Sequence, residues 1–138
     1  MRYYKRNKYS NKKVTYNGQT FDSQREAHRF KELLLLQRAG VINDLQTQVE
    51  FELLPAFFEE VPTGEFYKRG PKKGQPKMKR VCVEQSVKYI ADFAYYENGK
   101  KVVEDAKGYR DPSSAGHAKF VLKRKMMLHF HGIRIKEV

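Results

Sequence analysis

The chain is 138 residues long, which leaves room for one ordinary domain around a single core. Hydrophobic residues make up 40% and charged residues 32%, a globular composition rather than a disordered one, and the lone Cys82 excludes an intrachain disulfide and a cysteine-built metal cage. Lys and Arg number 28 against 16 Asp and Glu, and the net charge of +12 repels itself in a compact chain, so it points to a polyanionic partner: nucleic acid first, an anionic membrane surface second. The longest purely aliphatic run is Leu33 to Leu36, and the basic opening "MRYYKRNKYSNKK" leads into no apolar stretch. The expectation is a cytoplasmic protein with no membrane span and no export signal.

Residues 1–13 carry six Lys and Arg and no acid, interleaved with Tyr3, Tyr4 and Tyr9, and read as a basic arm. In "VTYNGQTF" the pair Asn17-Gly18 between β-rich flanks predicts a tight hairpin. "DSQREAHRFKELLLLQRAG" predicts a helix with Ser23 as cap, a stripe of Ala27, Phe30, Leu33 and Leu34, and Gly40 past the last turn. "LQTQVEFELLP" alternates, with Val49, Phe51 and Leu53 on one face and Gln46, Gln48, Glu50 and Glu52 on the other, until Pro55 stops it. The stretch 56–87 shows the least regular pattern, and about 64–81 reads as a flexible basic loop: Lys68, Arg69, Lys72, Lys73, Lys77, Lys79 and Arg80 surround Gly70, Pro71, Gly74 and Pro76.

"VKYIADFAYYENGKKVVEDAKG" predicts two antiparallel strands about Asn98-Gly99. After a turn at "YRDPSS", "AGHAKFVLKRKMMLHFHG" predicts a second helix with Phe120, Leu122, Met126, Met127 and Phe130 as its apolar positions, with Lys119, Lys123, Arg124 and Lys125 elsewhere on the cylinder. "IRIKEV" suits a short final strand. The order is helix, three strands, helix, strand, in one domain over 1–138 of the α/β (α+β) class.

Side chains alternate along a strand, so Asp105 and Lys107 share one face and Glu104 takes the other. Asp92, in "YIADF", sits on the strand joined to theirs by the Asn98-Gly99 turn. Two carboxylates on adjacent strands repel each other and lose hydration, so without a cation one of them takes up a proton. A divalent ion removes the conflict, and hard oxygen ligands suit magnesium or manganese. In a shifted register or with a bulge, Glu104 would replace Asp105. Glu26 lies on the same helical side as Phe30 and Leu33, although Ser23-Gln24-Arg25-Glu26 also reads as a capping box.

Asp92 followed after a hairpin by Asp105-Ala106-Lys107, within this order of elements, resembles the PD-(D/E)XK nuclease superfamily, which includes restriction enzymes and Holliday junction resolvases. The resemblance runs from about Val14 onward. "FDSQREAHRFKEL", "YIADFAYYENGKKVVEDAKG" and "GIRIKEV" resemble in particular a family of small phage and prophage proteins of undefined function assigned to that fold. Ala91 stands where the superfamily has proline.

The resemblance implies a restriction-endonuclease-like core with a central mixed sheet, and a Mg2+- or Mn2+-dependent endodeoxyribonuclease serving phage recombination, replication or packaging. It makes Asp92, Asp105 and the carbonyl of Ala106 the metal ligands and Glu26 a third acid reaching the metal or its water. Lys107 would orient or activate the attacking water. Likeness to resolvases implies branched or structured DNA as substrate and a homodimer to make two cuts. The seven basic residues of the loop, with Lys119 and Lys123 of the second helix, would hold the phosphate backbone without reading bases. The rival expectation is an accessory DNA-binding protein that keeps the fold and does not cut.

Overall fold

Two Asn-Gly pairs turn the chain most sharply. Asn17 and Gly18 have φ of 51° and 77°, and Asn98 and Gly99 have 51° and 74°, the positive values that a two-residue hairpin turn matched to strand twist requires. The computed structural model describes residues 12–106 and 111–138. The first turn joins strands β1 (Val14–Tyr16) and β2 (Gln19–Phe21), paired antiparallel with Val14 opposite Phe21.

Helix α1 (Gln24–Arg38) starts where Ser23 Oγ accepts the Glu26 N–H at 3.2 Å. It ends in Ala39, with Gly40 left-handed at φ 77°. Ala27, Phe30 and Leu33 form its buried stripe. There follow β3 (Asn43–Leu54), β4 (Phe57–Phe66), β5 (Pro76–Glu84), β6 (Val87–Glu97), β7 (Lys100–Asp105), helix α2 (Ala115–His131) and β8 (Lys136–Glu137). The central sheet has the order β3-β6-β7-β8, with β6 and β7 antiparallel and β7 and β8 parallel, so it is mixed, and the chain is α+β. Its elements follow the predicted order of helix, three strands, helix and strand, with β4 and β5 inserted between the first two of those strands.

By its contacts the chain divides into two compact units. One is Met1–Glu50 with Ile90–Val138, and the other is Phe51–Tyr89. The core of the first gathers Phe21, Ala27, Phe30, Leu33, Ile42, Phe93 and Tyr95. The Phe30 ring lies 4.9 Å from that of Phe21 and 6.3 Å from that of Phe93, which fixes α1 on the sheet face bearing Phe93 and Tyr95. Helix α2 buries Phe120 and Met127, two turns apart. Of the other apolar positions, Leu122 and Phe130 are exposed; about 100° per residue carries Leu122 roughly 200° round from Phe120.

In the second unit the rings of Phe51 and Tyr89 stack at 6.5 Å, and β4 and β5 pair only with each other. This corrects the flexible loop expected over about 64–81. Residues from Pro76 on are strand, and only the tip, 67–75, is turn. The tip itself is bonded: the Tyr67 N–H donates to Gln75 O at 3.0 Å, the Gly74 N–H to Tyr67 O at 2.9 Å and the Lys73 N–H to Gly70 O at 3.1 Å. A solvent-facing ribbon needs no apolar face, so its strands lack the alternation that marks a half-buried one.

Candidate functional site

Phe93 pairs with Glu104 across β6 and β7, so the next step along the ladder sets Asp92 opposite Asp105 on one face and leaves Glu104 on the other. Asp92 Oδ2 accepts the Ala106 N–H at 2.8 Å. Asp105 is 5% exposed, and its carbonyl accepts the Val138 N–H at 3.1 Å from the end of β8. Burial pushes the Asp92 carboxyl up to about 7, helped by the charges of Asp105 and Glu26 and opposed by the Ala106 N–H. When protonated, Asp92 donates to Asp105. The pair behaves as two like charges on adjacent strands should when no cation divides them.

Glu26 stands half-buried in the first turn of α1. Burial raises its pKa, as does the charge of Asp22 and, more weakly, that of Asp105. Its N–H donates to Ser23 Oγ, and its carboxylate lies 3.5 Å from that hydroxyl and feels the charge of Asp105. Lys107 and residues 1–11 of the basic arm lie outside the described residues.

Glu104 is 0% exposed and fully engaged. It accepts Arg29 Nε at 2.8 Å and Nη2 at 2.6 Å, and the Tyr95 hydroxyl at 2.5 Å, with Lys136 Nζ 3.6 Å away. Burial alone would raise its pKa, but the Arg29 fork and Tyr95 outweigh burial and hold it below the usual carboxylate value. The Glu104 bonds push the Arg29 guanidinium up, and burial, with the bond to Glu104, pushes the Tyr95 hydroxyl up. Glu104 is therefore a structural anion and not a substitute ligand for Asp105. Arg29 went unnoticed in the sequence, where the usable signal was a buried acid in need of a cation and an arginine beside the apolar stripe of α1.

Arg25, His28, Arg29, Glu32, Ala106 and Val138 line a cleft of about 210 Å3 that shares Ala106 with the acid pair. Lys119 is exposed and Lys123 half-buried on α2, in the same unit as the acids, whereas the seven basic residues of the ribbon belong to the other unit. Of those seven, Lys68, Arg69, Lys72, Lys73, Lys79 and Arg80 are exposed and Lys77 is half-buried.

Among the described residues no three His, Cys, Asp or Glu side chains already stand as a ligand set for a metal ion. Asp92 and Asp105 offer two hard oxygen donors, the number magnesium uses when it keeps several of its waters. That donor chemistry, and the proton the pair takes up in place of a cation, fit a divalent ion. No helix among the described residues is long and apolar enough to cross a membrane.

The chain is thus an α+β protein with a mixed four-stranded sheet, two helices and an acid pair on adjacent strands. It belongs to the family described as "Protein of unknown function (DUF1064)", whose model matches residues 6–136. No curated protein and no solved structure matches it.

Proposed function

We propose that this chain is a magnesium- or manganese-dependent endonuclease that hydrolyses phosphodiester bonds of DNA, on a core of the PD-(D/E)XK kind. The observation that carries the reading is the facing of Asp92 and Asp105 across β6 and β7, with Glu26 in their field. Their carboxylates and the Ala106 carbonyl would hold the ion. When bound, such an ion lowers the pKa of a coordinated water and neutralises charge on the phosphoryl oxygens. Asp92 gives up its proton to serve as a ligand, so metal affinity rises as pH passes about 7. Glu26 orients water at the edge of the pair, and Lys107, two residues beyond Asp105, supplies positive charge to the developing oxyanion. Branched or structured DNA and a homodimer rest on the likeness to resolvases, and a role in phage DNA metabolism in the host cytoplasm on the likeness to small phage and prophage proteins.

The test incubates the protein with linear, single-stranded, flapped and four-way-junction DNA in magnesium, manganese or chelator. Metal-dependent scission is expected, and Asp105→Asn lowers it on the order of a hundredfold or more. A flat metal titration, or full activity in that variant, sinks the proposal. The second reading, a DNA-binding accessory protein that does not cut, is favoured by the lack of a three-residue ligand set among the described residues. It predicts undiminished binding with no scission in any metal.

A further inference from the structure

Strands β4 and β5 form a sheet of their own, so both are edge strands, and nearly all their side chains are exposed. Their charges differ in sign. Strand β4 carries Glu59, Glu60 and Glu65 and no base, whereas β5 carries Lys77, Lys79 and Arg80, with its one acid, Glu84, at its far end. The tip adds Lys68, Arg69, Lys72 and Lys73 and no acid. The cross-strand ion pair at the distal end, Lys77 to Glu65, is loose at 3.9 Å.

Three of the basic groups lie against aromatic rings. Tyr67 has Lys72 Nζ at 5.8 Å and Lys77 Nζ at 5.6 Å from its ring centre, and the Arg80 guanidinium lies 4.0 Å over the Phe58 ring. A two-stranded ribbon is marginal alone in water, and seven like charges along one edge and tip weaken it further, so a polyanion laid there relieves the repulsion. The β4 edge cannot take the same polyanion, because its glutamates would face phosphates.

We infer that the ribbon docks on nucleic acid from one side only: its tip and β5 edge lie along the sugar–phosphate backbone of a duplex, and the β4 edge faces away. The nine residues of β5 span about 30 Å, near the length of one duplex turn. The inference rests on the proposed DNA-binding role and is independent of cleavage.

The full chain is titrated with a fluorescent duplex in chelator, over a range of salt. Lys68→Gln with Arg69→Gln, Lys72→Gln and Lys73→Gln is expected to reduce the slope of log affinity against log salt by roughly 3 to 4, about 0.9 per lost contact. Lys79→Gln with Arg80→Gln loses up to about 2 by the same rule. Glu59→Gln with Glu60→Gln leaves the slope unchanged and binding as tight or tighter. All these side chains are exposed, and matching far-ultraviolet spectra and melting curves confirm that each variant folds. Equal losses from the β4 and β5 variants overturn the one-sided docking, as does an unchanged slope in the tip variant. Sensitivity to the tip on phosphatidylserine vesicles but not on DNA overturns it too. Cleavage with no difference between the edges sinks this inference alone; a clear difference without cleavage sinks the nuclease reading alone.

Discussion

Glu104 and Asp105 are neighbours on β7 and both are buried, yet their surroundings have opposite signs. On one face Glu104 meets the Arg29 fork, the Tyr95 hydroxyl and Lys136, and its pKa falls. On the other, Asp105 faces Asp92, and the Asp92 carboxyl climbs to about 7. The same strand thus holds, one residue apart, an acid met by cationic and hydroxyl donors and an acid that faces another carboxylate. Burial of an acid says only that something must answer its charge; what faces it decides between a structural clamp and a place for a cation.

The comparison breaks most readily at Arg29. Arg29→Ala strands Glu104 without its counter-charge and is expected to lose about 3–5 kcal/mol, read from the urea midpoint. Asp92→Asn in the metal-free protein at about pH 8 instead removes a carboxylate whose pKa is raised by burial and by the charges of Asp105 and Glu26, and is expected to lose no stability by the linkage sign. Equal destabilisation by the two changes would erase the contrast.

Titration gives the next largest effect. Asp92 has a folded pKa near 7 against an ordinary 3.8, so the stability it contributes is full below the ordinary value and is lost as pH rises through about 7. Glu104, whose pKa is lowered from 4.5, contributes above that value and loses its contribution as pH falls. Between about pH 6 and about pH 8 the melting temperature of the metal-free protein therefore falls by a few degrees. Asp92→Asn flattens that fall, and a profile unchanged in the variant refutes the assignment.

Magnesium should raise the melting temperature more at about pH 8 than at about pH 6, because a proton competes for Asp92 at the lower value. Asp105→Asn should abolish the difference. A smaller change sharpens the account of Glu26: Ser23→Ala loses about 1 kcal/mol with the cap. Glu26→Gln lowers the Asp92 pKa, seen in a carboxyl NMR titration, because it removes a like charge from the field of the pair.

Local chemistry was the legible part of the sequence. Both Asn-Gly turns, the Ser23 cap, Gly40 and the alternation of Val49, Phe51 and Leu53 stand where they were expected, since each depends on its own few residues. Asp92 and Asp105 could be matched because a two-residue turn fixes the register between their strands. The ribbon was missed because its strands face solvent on both sides and its lysines read as loop. The Arg29–Glu104 pair spans 75 residues of sequence, and no local pattern marks an ion pair made at that range.

The short strand β8 has a consequence for synthesis. Val138, just past it, ties to the Asp105 carbonyl through its N–H and accepts Arg25 Nε at 3.1 Å through its own carbonyl, joining groups up to 113 positions apart. Until residues 136–138 have been added, the acid strand lacks its outer neighbour and the first helix lacks this tether. A nascent copy therefore cannot assemble this corner of the molecule before Val138 emerges from the exit tunnel.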